Sequence, residues 1–175
     1  GEGSSFWFDL DLLPTDEAPA RTGRVNVVPS YRGEPKTILL VDDIAQNREI
    51  LESFLKPVGF RVEQAESGEQ ALKAVEDLAP DLIFLDLMMP RMSGYETLAK
   101  LSELPRFGRT PVIATSASVF EEERAKSQDA GFADFLPKPV RSEALFSIVA
   151  KQLGLDWEES ADASPKPSQS ALELP

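Results

Sequence analysis

Short apolar runs alternate with stretches of helical apolar spacing over roughly residues 36–154. Uninterrupted apolar runs of four to six residues read as buried strands, and apolar residues three and four apart read as one face of a helix. Thr37–Val41 is a strand run ended by Asp42-Asp43. From Ile44, residues Ile50, Leu51, Phe54, Leu55 and Val58 keep helical spacing until Pro57-Val58-Gly59 stops the helix. Phe60–Ala65 is a second strand. Ser67 with Gln70 forms a capping-box pattern ahead of the stripe Ala71, Leu72, Val75 and Leu78. Asp81–Asp86 is the third strand, and its Leu82-Ile83-Phe84-Leu85 centre lacks alternation, as a strand covered on both faces does. Ser93 with Glu96 caps a helix to about Leu104, Pro111–Thr115 is strand four, and Ser118 with Glu121 opens a helix closed by Gly131. Phe132–Leu136 is strand five, and Ser142–Leu153 is the last helix, ended by Gly154.

Strands alternating with helices in this way imply right-handed βαβ units and a parallel sheet. The expected fold is α/β, a doubly wound parallel sheet in a three-layer sandwich, with its ligand site beyond the carboxyl ends of the strands. The flanks differ. In residues 1–13, Phe6, Phe8, Leu10 and Leu12 alternate with Trp7, Asp9 and Asp11, a period-2 strand. Residues 14–35, with Pro14, Pro19, Pro29 and Pro35, read as a linker, and 155–175 as a flexible polar tail.

Composition narrows the chemistry. Of 175 residues, 18 are basic and 30 acidic, a net charge of −12, and no segment forms a basic stripe, which excludes a nucleic-acid backbone as a direct partner. Hydrophobic residues make up 42%, enough for a core, but no run approaches the length of a membrane span, and no signal-peptide pattern is present. A cytoplasmic location without direct membrane contact is expected. The chain has no Cys and no His, which removes disulfides, thiolate nucleophiles, a Ser-His-Asp triad, His-rich zinc sites and phosphohistidine. Carboxylates, hydroxyls, Lys and Arg remain, with a hard cation if a metal takes part.

The strand ends carry those groups. Strand one ends in Asp42-Asp43, strand three in Asp86, strand four in Thr115-Ser116, and strand five runs into Lys138-Pro139. Taken singly, each has an ordinary structural explanation as a cap or loop charge; their convergence on one rim does not. Three carboxylates together raise one another's pKa unless a counter-charge is supplied, and an all-oxygen donor set suits Mg²⁺. Such a rim, with a Lys and a Ser beside it, is built for a phosphoryl group, one carboxylate being free to attack phosphorus.

Four motifs carry a family resemblance: Leu39-Leu40-Val41-Asp42-Asp43, Leu85-Asp86-Leu87-Met88-Met89-Pro90-Arg91-Met92-Ser93-Gly94, Ala114-Thr115-Ser116-Ala117 and Phe135-Leu136-Pro137-Lys138-Pro139. In this order and spacing, residues 36–154 resemble the response-regulator receiver domain, with its flavodoxin-like (βα)5 fold. The resemblance implies Asp86 as phospho-acceptor, with Asp43, Asp86 and the Met88 carbonyl on Mg²⁺ and Asp42 acting through a metal-bound water. It implies Lys138 pairing with a phosphoryl oxygen, a candidate cis peptide at Pro139, and Ser116 moving toward the phosphate while the Phe135 ring turns inward. Ile44, Asn47 and Ile50, beside Pro139, are the expected partner surface for a phosphohistidine donor, either a kinase dimerisation domain or a histidine phosphotransfer protein.

Residues 1–13 resemble the terminal strand of a histidine-kinase ATP-binding domain, so the chain reads as the receiver end of a hybrid sensor histidine kinase. That strand would pack on the receiver or pair with a second copy as a homodimer. Two alternatives stand: a stand-alone single-domain response regulator that binds a target protein, and a flavin-binding module of the same architecture. The latter needs a hydroxyl- and Gly-rich loop after strand one, where Asp42-Asp43-Ile44 would repel a bare phosphate.

Overall fold

The computed structural model describes residues 30–105, 107–108, 110–117 and 121–158. The expected strand in 1–13, the cap at Ser118 and the tail beyond 158 lie outside the described residues. In chain order the elements are β1 (Ser30–Tyr31), β2 (Thr37–Val41), α1 (Ala45–Leu55), β3 (Arg61–Ala65), α2 (Gly68–Leu78), β4 (Leu82–Asp86), α3 (Gly94–Glu103), β5 (Val112–Ser116), α4 (Glu121–Asp129), β6 (Asp134–Pro137), α5 (Ser142–Leu153) and β7 (Trp157–Glu158).

Strands β3-β2-β4-β5-β6 form one sheet, in that order and all parallel. Alternation along the strands divides the core between its two faces. Leu39, Val41, Ile83, Leu85, Val112 and Ala114 join Ala71, Val75, Leu98 and Leu101 of α2 and α3. Ile38, Leu40, Leu82, Phe84 and Ile113 join Leu51, Leu55, Leu145 and Val149 of α1 and α5. All five residues of β4 are buried, which explains its lack of a polar face. The chain runs from β2 outward to β3, then crosses back to β4 on the other side. The carboxyl ends of β2 and β4 therefore flank the switch point, where open α/β sheets place their sites.

Local signals set most boundaries. Ser93 and Glu96 form a complete capping box. At α2 the box is only half formed: Ser67 Oγ accepts from the Gln70 N–H, but the Gln70 side chain reaches past it to the Glu66 N–H at 3.0 Å. A second bond, from Gln70 Nε2 to the Glu66 carboxylate at 2.9 Å, favours that longer reach. Helix α4 buries only Ser127 and lays the Lys126 ammonium 4.7 Å from the centre of the Tyr95 ring.

The folded unit extends past both edges drawn from the sequence. Ser30–Tyr31, expected as linker, pairs antiparallel with Trp157–Glu158, expected as tail. Tyr31 stacks on Phe60 with ring centres 4.8 Å apart, and Trp157 meets Tyr31, Phe60 and Phe146 edge-on. These aromatics extend the α1–α5 side of the core. Their surroundings are polar and Pro-rich, so pattern alone conceals them.

Candidate functional site

The three acids expected at the sheet edge do converge. One oxygen each from Asp42, Asp43 and Asp86 lie within 4.8 Å of one another. Asp42 and Asp86 are buried and Asp43 is exposed, so the cluster opens to solvent on one side. Asp86 closes β4, whose five residues are all buried. The β4–α3 loop behind it is pinned by Leu87 N–H to Thr115 O (3.0 Å) and Gly94 N–H to Leu87 O (3.1 Å). Gly94 lets α3 come close: a Cβ there would stand 2.4 Å from the Asp86 carbonyl oxygen.

Lys138 reaches the cluster from the far end of the chain. Its ammonium donates to Asp42 Oδ2 at 2.7 Å and to Asp86 Oδ1 at 2.8 Å. Burial alone would pull its pKa down, but the two carboxylates prevail and hold it above the ordinary lysine range. For Asp86 the balance runs the other way. Burial pushes its carboxyl above the usual aspartate range, Asp42 and Asp43 add to the rise, and Lys138 opposes it. The Lys138 backbone N–H donates to the Ser116 carbonyl at 2.8 Å, which registers the β6 end against β5, and the Lys138–Pro139 peptide is cis.

Three carboxyl groups share the Lys138 ammonium in a partly desolvated pocket. The donors are all oxygen and the cluster faces solvent, a set that fits a hard divalent cation.

Other expected residues fall less simply. Ser116 is buried beside the site, 2% exposed, and Met88 stands out at 74%. Phe135 is already inside, packed in the same cluster as Leu87, Met89 and Ala114. Ile44 and Ile50 are exposed, at 49% and 47%, so neither is core. Asn47 is half-buried, and its amide donates to both oxygens of Asp42 at 3.0 Å, which ties it to the acidic pocket. Its neighbour Arg48, which sequence reasoning passed over, donates to the Asp42 backbone carbonyl. An amide and a guanidinium in the first turn after paired aspartates were the available signal.

A buried carboxylate, two neighbouring acids and a bridging lysine, set at the switch point of this sheet, mark the chain as a signalling domain of two-component systems. The chain belongs to the response regulator receiver domain family, whose model matches residues 38–150. It is 31% identical over 147 residues to the signal transduction histidine-protein kinase BarA of Escherichia coli, covering 80% of this chain and 16% of that protein. It is 36% identical over 112 residues to the protein PilG of Pseudomonas aeruginosa, covering 64% of this chain and 83% of that one. Among solved structures, the receiver domain of a sensor histidine kinase from Pseudomonas aeruginosa, with magnesium coordinated in its active-site cleft, matches with a TM-score of 0.64 and 30% identity. That match covers 69% of this chain and 99% of the other. The chain spans about a sixth of the length of the kinases BarA and CheAY that it resembles. Among the described residues, no helix is long and apolar enough to cross a membrane.

Proposed function

We propose that this receiver accepts a phosphoryl group from a phosphohistidine onto Asp86, as one step of a multistep His-Asp relay. The observation that carries the reading is the Lys138 bridge between Asp42 and Asp86. It puts a fixed positive charge beside the carboxylate that would attack, where phosphoryl oxygens arrive. In the transfer, an Asp86 oxygen attacks phosphorus, the P–N bond to the imidazole breaks with its electron pair returning to the ring, and an acyl phosphate forms. Lys138 keeps its bond to Asp42 while its hold on Asp86 passes to a phosphoryl oxygen, and the Ser116 hydroxyl hydrogen-bonds another. Mg²⁺ held by Asp42 through water, by Asp43, by Asp86 and by the Met88 carbonyl would supply the charge neutralisation that lysine alone does not. The movement of Ser116 toward the phosphate, coupled to Phe135, would reshape the α4–β6–α5 surface.

Intact-mass spectrometry of the chain with acetyl phosphate and Mg²⁺ tests this. One phosphoryl group is expected on the wild type and none on Asp86→Asn; equal labelling would remove Asp86 as the acceptor.

The donor's docking surface is the groove of 160 Å³ lined by Asn47, Ile50, Leu51, Lys138, Pro139 and Val140, with Ile44 exposed on the same loop–helix edge. The apolar rim suits a phosphohistidine-bearing helix laid across the pocket mouth. The likeness to kinase receivers supports a hybrid sensor histidine kinase as the parent, with residues 1–13 as the last strand of its ATP-binding domain. A second reading, a stand-alone response regulator, is favoured by PilG, most of whose length the chain covers. Phosphotransfer from a kinase core carrying its own histidine, compared with and without residues 1–33 on this chain, separates the two. Faster transfer with the segment present supports the hybrid parent.

A further inference from the structure

Both oxygens of Asp42 accept from protein donors. Oδ1 receives the Ile44 N–H at 2.9 Å and Asn47 Nδ2 at 3.0 Å; Oδ2 receives Lys138 Nζ at 2.7 Å and the same Asn47 amide at 3.0 Å. The backbone of Asp42 is held as well. Its N–H donates to Ala65 O at 3.2 Å, and its carbonyl accepts from the Arg48 guanidinium, whose Nε donates to Gln64 on β3 at 2.9 Å. Neither Asn47 nor Arg48 touches Asp43 or Asp86 through any of these bonds.

We propose that Asn47 is a positioning residue for the acidic pocket: by straddling both oxygens of Asp42 it fixes the plane of that carboxylate and, through Oδ2, the place of Lys138. The inference rests on the reading of the pocket as a Mg²⁺ and phosphoryl site. Without the amide, Asp42 keeps one donor on each oxygen and its carboxylate is free to rotate. Lys138 then loses a fixed anchor on one side of its bridge, and Asp42 no longer presents a defined edge to a metal-bound water. Arg48 acts one bond further back, fixing the main chain from which that side chain springs. Outer partners of this kind change metal affinity without touching the metal.

Titrating Mg²⁺ into the full chain, followed by backbone amide NMR of Asp43, Asp86 and Met88, tests the role. In Asn47→Leu, which keeps a helix-forming side chain but no donor, the dissociation constant is expected to rise about tenfold or more. Asn47→Ser, a smaller change, is expected to fall between the two and serves if the Leu variant does not fold. The side-chain ammonium signal of Lys138 should be visible in the wild type and broadened in Asn47→Leu, a change that loss of packing alone would not produce. Should the wild type show no saturable Mg²⁺ response, the metal reading of the pocket fails. Should the wild type bind and Asn47→Leu bind within about threefold of it, with the Lys138 signal unchanged, Asn47 has no positioning role and the pocket reading stands.

Discussion

The Lys138 ammonium lies 2.8 Å from Oδ1 of Asp86, the carboxylate it would help to phosphorylate, across 52 residues of sequence. The bond holds the two groups in a geometry that a phosphoryl oxygen can enter by displacement. Lys138→Gln removes the fixed charge but keeps a donor of similar length. Labelling by acetyl phosphate at saturating Mg²⁺ is expected to slow by on the order of a hundredfold, read from the intact-mass time course. The Asp86 carboxyl, already raised by burial, should titrate higher still in this variant, because the ammonium that opposes the rise is gone. Carbon-13 NMR of the Asp86 side chain against pH reads that shift.

A second lysine–aspartate pair sets a pH dependence of stability. Burial works to raise the Asp134 carboxyl, but Lys151 Nζ at 2.7 Å and the Phe135 N–H at 2.9 Å outweigh it and hold the pKa below the usual range. A depressed folded value means the stabilisation is present above the unfolded aspartate pKa and is lost as pH falls through the folded one. Asp134→Asn should therefore cost about 1 kcal/mol at pH 7 and progressively less in acid. Urea denaturation of both proteins at neutral and acidic pH measures the difference.

Gly94 is where α3 meets the end of β4. The Cβ of Gly94→Ala would fall 2.4 Å from Asp86 O and 2.9 Å from Leu87 Cα, and both are backbone atoms that no side-chain rotation can move aside. Destabilisation of about 2 kcal/mol is expected, from overpacking. The amide signals of Asp86 and Leu87 should move with it, since the clash is resolved by shifting the backbone of those two residues.

Trp157 is the seal between the two flanks. Trp157→Ala removes edge-on contacts to Tyr31, Phe60 and Phe146 and should free both short strands. A loss of about 2 kcal/mol is expected, less than a fully buried aromatic gives, because the indole is only half-buried. Hydrogen exchange at Tyr31 should rise in the same variant, and an unchanged rate there would separate the two strands' fates.

Strand order along the chain, helix stripes and the residues at each strand end were legible in the amino-acid sequence because each is a local property. A strand covered on both faces needs a contiguous apolar run, as Leu82–Leu85 has, and a helix needs its apolar residues three and four apart. The acids and the lysine followed from where those runs stop. The partner of each charged group was not local. Asp42 meets Lys138 across 96 residues, and Asn47 turns inward to share the same carboxylate. Tyr31 and Trp157 were hidden for the same reason, each lying in a polar stretch and packing only once the chain's two flanks are brought together. Periodicity reports which face of an element is apolar, whereas hydrogen-bond partners depend on distances of a few tenths of an ångström between elements remote in sequence. Those distances exist only after the sheet has closed.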